Sequence, residues 1–508
     1  MIMSSPTIDP TLVDPGAERV AAYAARGYAD DVLPIRPKDR TWKTPQFITV
    51  WMGPIHNILS YFTVMTFFAL GLNAWQVVGA IMTAAVIVSI GYILNGQAAA
   101  KYGVPFAMQL REAFGHKGAL IPTWVRGIIA GFMFFGITSV SSAQAFDVVF
   151  ETIWPGFSQI GGGADILGLP IPTAISYAIT WVITVALFLG GQAFLGRFSN
   201  WANPAVYILV VVAVVLAVIN AGGLGAVFST RVVESPVTPL IFVTCVSILV
   251  SNWAGPIVNT GDYTRNATSM RAPTIGFPIG VIGSYLLFAL VTVSFVAALQ
   301  VVTGGNFDIN RPGVFIQAIN DGVGNPFVVV LLILAMNVGA IAFVVFGNML
   351  PAGLQLTAQL PKLFTLRRGA ILAAVIGTLI VPWKFVENTD ALFLFYSLIG
   401  SMFGPIVGIM LASYFLERRR TLDIDGIYAD YRGGEKGSLR AYNWRALGVL
   451  FASFAITMIG RVPGVASVEF LAQVNNLAFF SGLIIGFVGY AGLTAVSRRD
   501  DRRPAPAA

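Results

Sequence analysis

Long apolar runs recur along the whole chain and are separated by short polar stretches. Each run holds about twenty predominantly apolar residues, the length that a helix needs to cross a hydrocarbon core of about 30 Å. The pattern therefore predicts twelve membrane-spanning helices, with ends placed to within a few residues. The predicted spans are residues 46–70, 75–95, 122–150, 173–191, 204–221, 238–259, 275–301, 326–355, 369–383, 390–415, 443–460 and 475–496.

One pattern, Trp-x-Gly-Pro-Ile-x-Asn, occurs twice inside these apolar runs, at residues 51–57 and 253–259. Proline removes a backbone donor and clashes with the preceding helical turn, and the glycine before it loosens the chain further. The freed backbone groups cannot face lipid, so they must meet protein, water or a ligand. A single break is an ordinary kink, but two near-identical breaks in the first and sixth predicted helices indicate a shared role.

The five-helix spacing between the two breaks predicts an all-α membrane protein made of two repeats in opposite orientations. Secondary transporters of this plan frame a mid-membrane site with the discontinuous first helix of each half. We therefore predict a leucine-transporter-like fold of twelve transmembrane helices, in which a five-plus-five inverted repeat is followed by two extra helices. The predicted units are an N-terminal tail (1–45), the first repeat (46–221), the second repeat (238–415), helices eleven and twelve (443–496) and a C-terminal tail (497–508).

Composition and charge give the predicted orientation. Hydrophobic residues make up 56% of the chain and charged residues 11%, well below the roughly one quarter that is usual in soluble domains. Lysine and arginine are retained on the cytoplasmic side of a membrane. With a cytoplasmic N-terminus, all of the 31 basic residues except Arg231, Arg311, Lys384 and Arg461 fall on that side. We predict a multi-pass protein of the cell membrane with both termini cytoplasmic, and the net charge of +7 reflects this arrangement rather than nucleic-acid binding.

Residues that carry chemistry are sparse. The single cysteine, Cys245, lies in an apolar run, so the sequence excludes an intrachain disulfide and a cysteine-based metal cluster. The two histidines stand alone, and no phosphate-binding loop is present. The polar N-terminal 45 residues lack the apolar core of a cleavable signal. The sequence therefore predicts neither an enzyme nor a metal centre, and no cofactor beyond a coupling proton or sodium ion.

Five stretches between Trp42 and about Tyr431 follow one another in a specific order. They read "KYGVPFAMQLREAFGHKGALIPTWVRG" (101–127), "NWAGPIVNTGDYTR" (252–265), "NMLPAGLQLTAQLPKLFTLRRG" (348–369), "PWK" (382–384) and "FGPIVGIMLASYFLERR" (403–419). Together they resemble the nucleobase:cation symporter-1 family, the permeases for nucleobases, hydantoins, allantoin and related heterocycles. The resemblance implies the same inverted-repeat fold and import of a small planar heterocycle by alternating access, coupled to a cation gradient.

The resemblance also implies a substrate site. Trp253 is similar to the family's aromatic residue on the sixth helix that packs against the heterocycle, and Asn348 to its asparagine on the eighth. Where the family often reads Gly-Trp-Phe-Gly-x-Gln on the third helix, this chain has Phe134 in place of the tryptophan and Thr138 in place of the glutamine. Stacking survives this change, but an indole N–H and an amide are lost. The predicted substrate-binding residues are Trp253, Asn348, Phe134, Thr138, Gly255 and Asn57.

The coupling ion is a second departure from the family. Sodium-coupled members place serine and threonine six and five residues before the asparagine of the eighth helix, where this chain has Ala342 and Phe343. Neither side chain offers the oxygen that a hard cation needs. Backbone carbonyls around Gly53 and Ile55 remain as ion ligands, and His56 offers a group that titrates near neutral pH. The residues assigned to coupling are Gly53, Ile55, His56 and Ala342, with a proton favoured over sodium.

Asp262 and Arg265 resemble the family's Asp-x-x-Arg after the sixth helix, and we predict that they form a cytoplasmic structural pair or gate. Two alternatives remain at this stage. One is an amino-acid or amine carrier on the same fold, which the lack of an acidic residue near either break disfavours. The other is a channel or nutrient receptor that uses a transporter scaffold. The sequence does not identify which heterocycle is carried.

Overall fold

Nearly all of the regular structure is helical, as the apolar runs predict. The computed structural model describes residues 9–190, 192–310, 314–386, 388–429, 438–462 and 468–500. Each of the twelve predicted spans coincides with a helix or with a broken helix. We number these spans α1 (Thr44–Thr49, Met52–Ile55 and Ile58–Ala69), α2 (Ala74–Tyr102), α3 (Leu120–Ile153), α4 (Ile171–Leu189), α5 (Gln192–Asn220), α6 (Pro239–Asn252, Ala254–Val258 and Gly261–Thr264), α7 (Arg271–Thr303), α8 (Pro326–Gln359), α9 (Leu366–Leu379), α10 (Thr389–Glu417), α11 (Trp444–Ile459) and α12 (Ala478–Asp500).

Shorter elements join these spans. By length and composition, seven helices in the described residues can each cross a membrane unaided, namely α2, α3, α4, α7, α8, α10 and α12. Strands β1 (Asp165–Ile166) and β2 (Leu169–Pro170) form an antiparallel hairpin between α3 and α4. The remaining short helices and 3₁₀ turns are Ala17–Ala25, Asp30–Val32, Pro37–Asp39, Phe106–Phe114, Phe157–Gln159, Leu224–Ser229, Val314–Val323, Pro382–Val386, Ile424–Ile427 and Glu469–Asn476.

Local sequence signals explain where several helices begin and end. The Asn73 side chain accepts a hydrogen bond from the Gln76 N–H, and the Gln76 side-chain oxygen accepts one from the Asn73 N–H, so a capping box starts α2. Gly103 ends α2 in the left-handed conformation, with φ of 74°. A β-carbon there would lie 2.2 Å from a backbone oxygen, so the close approach requires glycine. At the start of α8, the Asn325 side chain accepts hydrogen bonds from the N–H groups of Phe327 and Val328, and Pro326 occupies the first helical position.

The helices pack as two groups that meet at the breaks. In the first group, α2 packs on α6 and α7, and α1 packs on α7. In the second, α3 packs on α4, α8 and α9, and α8 packs on α9. α5 contacts both α7 and α8, while α11 and α12 pack on α10. The two groups touch where the middle of α1 meets α8 and where the α6 break meets α3, so relative movement of the groups changes those contacts.

The described part of the predicted N-terminal tail is folded against the bundle rather than extended from it. We call residues 9–43 the N-terminal cover. Tyr23 stacks on Tyr428 with ring centroids 4.7 Å apart. Arg265, after α6, donates hydrogen bonds of 2.8 Å to the carbonyls of Asp31 and Leu33. The cover therefore closes one end of the bundle, the covered end. The β1–β2 hairpin lies at the opposite end of α3, the hairpin end.

Candidate functional site

The two repeated motifs face each other across the centre of the bundle. The rings of Trp51 and Trp253 meet edge to face, with centroids 5.5 Å apart and an interplanar angle of 84°. The amides of Asn57 and Asn252 both donate to the Ser60 hydroxyl, at 2.9 and 3.0 Å. The repetition in the sequence thus corresponds to a pair of helix breaks that contact each other directly.

In α1, the Asn57 side chain makes hydrogen bonds to residues of the break. Its carbonyl accepts from the Ser60 N–H at 2.9 Å and caps the helix segment Ile58–Ala69. Its two N–H groups go to the Pro54 carbonyl, at 2.8 Å, and to the Ser60 hydroxyl. Both donors are used within the break in this arrangement, and the part of Asn57 in substrate binding stays a prediction. Its side chain fixes the shape of the break.

In α6, Trp253 forms one wall of the central region. Its side chain is 1% exposed and stands at the junction of Pro239–Asn252 with Ala254–Val258. Besides Trp51, its ring meets Phe343 of α8 at 5.5 Å and Tyr285 of α7 at 6.1 Å, both edge to face. The ring is therefore held between the two helix groups, at the point where they meet.

On α3, Phe134 forms the facing wall. Its ring contacts Phe343 at 6.4 Å and Phe395 of α10 at 5.1 Å. Phe343 therefore touches both Phe134 and Trp253. One turn further along α3, Thr138 is buried and its hydroxyl has no hydrogen-bond partner in the described part of the chain. The structure brings the two predicted stacking residues together around Phe343, which sequence reasoning treated only as a missing ion ligand.

Asn348 lies in a π-helical turn, Phe343–Met349, in the middle of α8. Such turns are rare and often occur at functional sites. Among the described residues its side chain makes one hydrogen bond, a long one of 3.4 Å from Nδ2 to the Phe343 carbonyl. The amide is therefore held by its own turn rather than by a neighbouring helix, which leaves it available to a ligand beside Phe343.

The backbone of the α1 break approaches α8 closely. A β-carbon on Gly339 would lie 2.6 Å from the Gly53 carbonyl oxygen and 3.0 Å from the His56 carbonyl oxygen. These two carbonyl oxygens are the backbone acceptors that the α1 break places beside α8. The side chains of Ala342 and Phe343, which follow on α8, add no oxygen to these two. No cluster of three or more His, Cys, Asp or Glu residues suited to a metal ion occurs in the described ranges.

His56 points away from the aromatic walls. Its Nδ1 lies 2.5 Å from the Tyr61 hydroxyl, and its ring meets Tyr207 of α5 edge to face at 5.1 Å. Its Nε2 is buried without a hydrogen-bond partner among the described residues. Ile55 beside it is buried. His56 therefore lies between α1, α5 and α7, and the structure does not bring it to Trp253 or Phe134.

Arg126 of α3 is a functional candidate that the sequence reasoning missed. Its side chain is 0% exposed. Nε donates to the Gly255 carbonyl at 3.2 Å and to Asn259 Oδ1 at 3.1 Å, both on α6. Nη2 donates to the Gly347 carbonyl at 2.7 Å, next to Asn348 on α8. We call these three hydrogen bonds the Arg126 clasp. They join the two helix groups on the side of the breaks toward the covered end.

The signal that could have identified Arg126 is its position. It lies inside the predicted span 122–150, yet it was counted with the loop charges that set the orientation. An ionisable residue within a membrane span is a functional candidate by default, because an unpaired charge there is costly. A β-carbon on Gly255 would lie 3.3 Å from the guanidinium. Because Gly255 has no side chain, the Arg126 guanidinium can approach the α6 backbone this closely.

Asp262 and Arg265 do not pair directly, so that part of the prediction is corrected. Asp262 accepts from the Phe106 N–H at 2.9 Å and from Asn259 Nδ2 at 3.0 Å. Arg265 instead binds two backbone carbonyls of the N-terminal cover. The reason is geometric: in the last turns of α6 the carboxylate faces the helix Phe106–Phe114, while the guanidinium faces the cover. Both residues bind structural partners at the covered end.

The chain matches the family of permeases for cytosine/purines, uracil, thiamine and allantoin over residues 34–486. The chain belongs to this family. A putative allantoin permease of Escherichia coli (strain K12) is 34% identical over 92% of this chain and 95% of its own length. The allantoin permease of Bacillus subtilis (strain 168) is 32% identical over 92% of this chain and 93% of its own length. The nucleobase:cation symporter-1 family predicted from the motifs is confirmed.

A solved structure of the same family supports the fold of this permease. Mhp1, a nucleobase-cation-symport-1 family transporter in a closed conformation with bromovinylhydantoin bound, aligns with a TM-score of 0.74. The sequences are 23% identical, and the alignment covers 93% of this chain and 96% of that chain. The predicted inverted-repeat fold is therefore confirmed, and the protein is a multi-pass membrane permease.

At the covered end of the permease, outside the spanning segments, the helix Phe106–Phe114 carries a buried acid. Burial raises the pKa of Glu112 to about 7, against the opposing effect of Arg418. Arg418 Nε lies 2.6 Å from one carboxylate oxygen, and the Asp423 N–H donates to the other at 3.1 Å. The carboxylate therefore joins this helix to the chain that follows α10.

The raised pKa of Glu112 predicts a pH-dependent stability. The native state holds this proton more tightly than the unfolded state, so the stabilisation is complete below pH 4.5 and is lost as the pH rises through about 7. We expect the melting temperature of the wild type to fall more between pH 5 and pH 8 than that of Glu112→Gln in the same detergent. His116, whose pKa burial lowers to about 4, acts in the opposite direction but equally in both proteins. Equal falls would show that Glu112 does not titrate in this range.

Proposed function

We propose that this permease is a secondary active transporter that imports a planar N-heterocycle or ureide of the allantoin, hydantoin and uracil class. The observation that carries the proposal is the pair of aromatic walls, Trp253 and Phe134, on either side of Phe343. Stacking of a flat ring on an aromatic face contributes about 1–3 kcal/mol and tolerates many ring systems. The similarity to allantoin permeases makes allantoin the first substrate to test.

The polar groups beside these walls suit such a ligand. Thr138 offers a buried hydroxyl without a partner, which can donate and accept. Asn348 offers an amide that does both at a ring edge. Imides and ureides present C=O and N–H groups side by side, so the two side chains complement them without a charged residue. Hydrogen bonds of this kind discriminate between close analogues more strongly than apolar contacts do.

We infer alternating access from movement of the two helix groups relative to each other. The excess of basic residues supports a cytoplasmic position for the covered end and for both termini. In the present arrangement the Arg126 clasp and the N-terminal cover close that side. Release of substrate to the cytoplasm requires α6 to separate from α3 and α8, and therefore requires the clasp to break.

We favour a proton over sodium as the coupling ion. The carbonyls of Gly53 and His56 supply only backbone ligands beside Gly339, and Ala342 and Phe343 supply none. Sodium prefers a fuller oxygen shell. His56, with one ring nitrogen on Tyr61 and the other without a partner in the described chain, is the titratable group at the break.

Counterflow in proteoliposomes tests substrate class and coupling together. Vesicles preloaded with unlabelled allantoin should accumulate labelled allantoin equally in sodium and potassium buffers. Uptake without preloading should require an inward pH gradient and should stop when that gradient is collapsed. Vesicles that carry Glu469→Gln, a change at an exposed residue between α11 and α12, serve as the control.

Two results would contradict this proposal at different points. Uptake that is unaffected by collapse of the pH gradient and abolished in sodium-free buffer would show that backbone oxygens suffice for sodium. The absence of counterflow with allantoin, 5-substituted hydantoins, uracil, cytosine and hypoxanthine alike would overturn the substrate class.

A further inference from the structure

A cavity of about 210 Å³ lies at the hairpin end, apart from the aromatic walls of the central site. It is lined by α1, α3, the β1–β2 hairpin, the start of α4 and the turn Pro382–Val386. A single water needs only about 10–15 Å³, whereas drug-sized ligands occupy roughly 300–1,000 Å³. The volume therefore suits a ligand with about ten non-hydrogen atoms.

The cavity contains unsatisfied hydrogen-bonding groups on an apolar surface. Trp383 is 5% exposed, and its indole N–H has no partner among the described residues. Gln144 lines the cavity and its amide makes no hydrogen bond within the described chain. The hydroxyls of Ser141 and Thr173 donate elsewhere, to the Ile137 carbonyl and to Asp147, so each retains acceptor capacity. None of the described residues that line the cavity is charged, and Lys384 lies beside the lining residue Gly168, where a β-carbon would be 3.8 Å from Nζ.

The roof of the cavity is built from strained backbone. Of the four non-glycine residues with positive φ in the described ranges, Leu167 has φ of 55° and Val381 has φ of 50°. They directly precede Gly168 and Pro382, at the two segments that cover the cavity. A β-branched residue in the left-handed region is uncommon. Strain of this kind persists where the surrounding structure fixes it, and it clusters at ligand clamps.

The cavity lies on the route to the central site. Gln144 follows Thr138 by six residues on α3, which is about 9 Å along a helix. On α1, the lining residue Ile58 directly follows Asn57 of the break. With the covered end cytoplasmic, a substrate from outside passes this cavity before it reaches Trp253 and Phe134.

We propose that this cavity is an outer binding site for the same class of neutral planar imide or ureide, occupied before the central site. The inference rests on the proposed function. Trp383 donates its indole N–H to a ligand carbonyl, and the Gln144 amide pairs with an adjacent N–H and C=O. Phe62 supplies an apolar contact. The chain therefore binds two ligand molecules when both sites are filled.

Equilibrium binding of labelled allantoin to the purified full-length permease tests the outer site. The wild type should bind two molecules per chain, and Trp253→Ala one. Gln144→Leu and Trp383→Phe should each weaken the outer site roughly tenfold, because each loses a hydrogen bond inside a desolvated cavity. Their maximal counterflow rate should stay unchanged while the KM for external substrate rises. Gln159→Leu, at an exposed glutamine of the same end, is the matched control.

The pattern of outcomes separates the two proposals. One molecule bound by the wild type and none by Trp253→Ala would overturn the outer site and leave the proposed function intact. A single molecule that persists in Trp253→Ala and is lost in Gln144→Leu would support the outer site and overturn the central one. If no heterocycle of the panel binds to any variant, both proposals fail. Trp383→Phe keeps an aromatic ring at this position and removes only the indole N–H end of the side chain. An unchanged elution profile of this variant in size-exclusion chromatography excludes misfolding as the cause of weaker binding.

Discussion

Replacing Trp253 by alanine lowers heterocycle affinity roughly 5- to 150-fold, the equivalent of the 1–3 kcal/mol that stacking contributes. The reason is that the α6 break supplies this ring as one wall of the proposed central site. Counterflow of labelled allantoin in proteoliposomes should fall below detection. Ligand-induced thermal shifts measured in a Gln144→Leu background, where the proposed outer site is weakened, report the affinity loss at the central site, since stabilisation follows RT ln(1 + [L]/Kd).

The fold itself also depends on this ring, so the test needs matched variants. Trp253 packs on Trp51, Tyr285 and Phe343, and truncation of a buried tryptophan commonly costs about 3–5 kcal/mol of stability. Trp253→Phe keeps an aromatic face and should retain measurable binding. Trp51→Phe makes the same change at the equivalent motif position and should bind as the wild type does. Wild-type counterflow in Trp253→Ala would remove Trp253 from the substrate site.

Replacing Arg126 by glutamine should lower the transport rate at least tenfold and loosen the covered end. Hydrogen bonds to a charged group contribute about 1.5–3 kcal/mol each, and the Arg126 clasp contains three, at 2.7, 3.1 and 3.2 Å. Loss of the clasp frees α6 from α3 and α8. Peptides spanning residues 254–264 should then exchange amide hydrogens at least tenfold faster than in the wild type.

A matched control separates this effect from a general loss of positive charge. Arg271 is exposed at the start of α7, so Arg271→Gln should leave both exchange and transport unchanged. Arg126→Lys keeps the charge but cannot reach three acceptors on two helices with one ammonium group. Arg126→Lys should therefore show the same faster amide hydrogen exchange across residues 254–264 as Arg126→Gln. Unaltered exchange across residues 254–264 in both Arg126 variants would show that the clasp does not hold the groups together.

The spans and breaks of this fold follow from local sequence because they arise from local causes. Apolar runs of membrane length predict each helix, and Gly-Pro pairs predict where α1 and α6 are interrupted. The capping residues of α2 and α8 act within four residues along the chain. The N-terminal cover could not be predicted in this way, because Tyr23 and Arg265 bind partners more than two hundred residues away.

The candidate site, like the fold, has parts that the sequence predicts and parts that only the structure shows. The residues that motif and resemblance predict to stack on a substrate, Trp253 and Phe134, both contact Phe343 in the structure. The structure also reveals the role of Phe343 between them, the engagement of Asn57 within its own break, and the separate partners of Asp262 and Arg265. Each of these depends on which neighbours a side chain meets.

By itself, the sequence determined that this protein is a multi-pass membrane permease, and it predicted twelve spans and a site at two paired helix breaks. Apolar length, proline chemistry and charge distribution act locally, so they can be recognised along the chain. The tertiary structure alone decided that Arg126 clasps the helix groups, that the N-terminal segment covers one end, and that a cavity lies beside Trp383 at the other end. Those features need residues from distant segments to converge, because a buried hydrogen bond or cavity is defined by three-dimensional neighbours rather than by position in the chain.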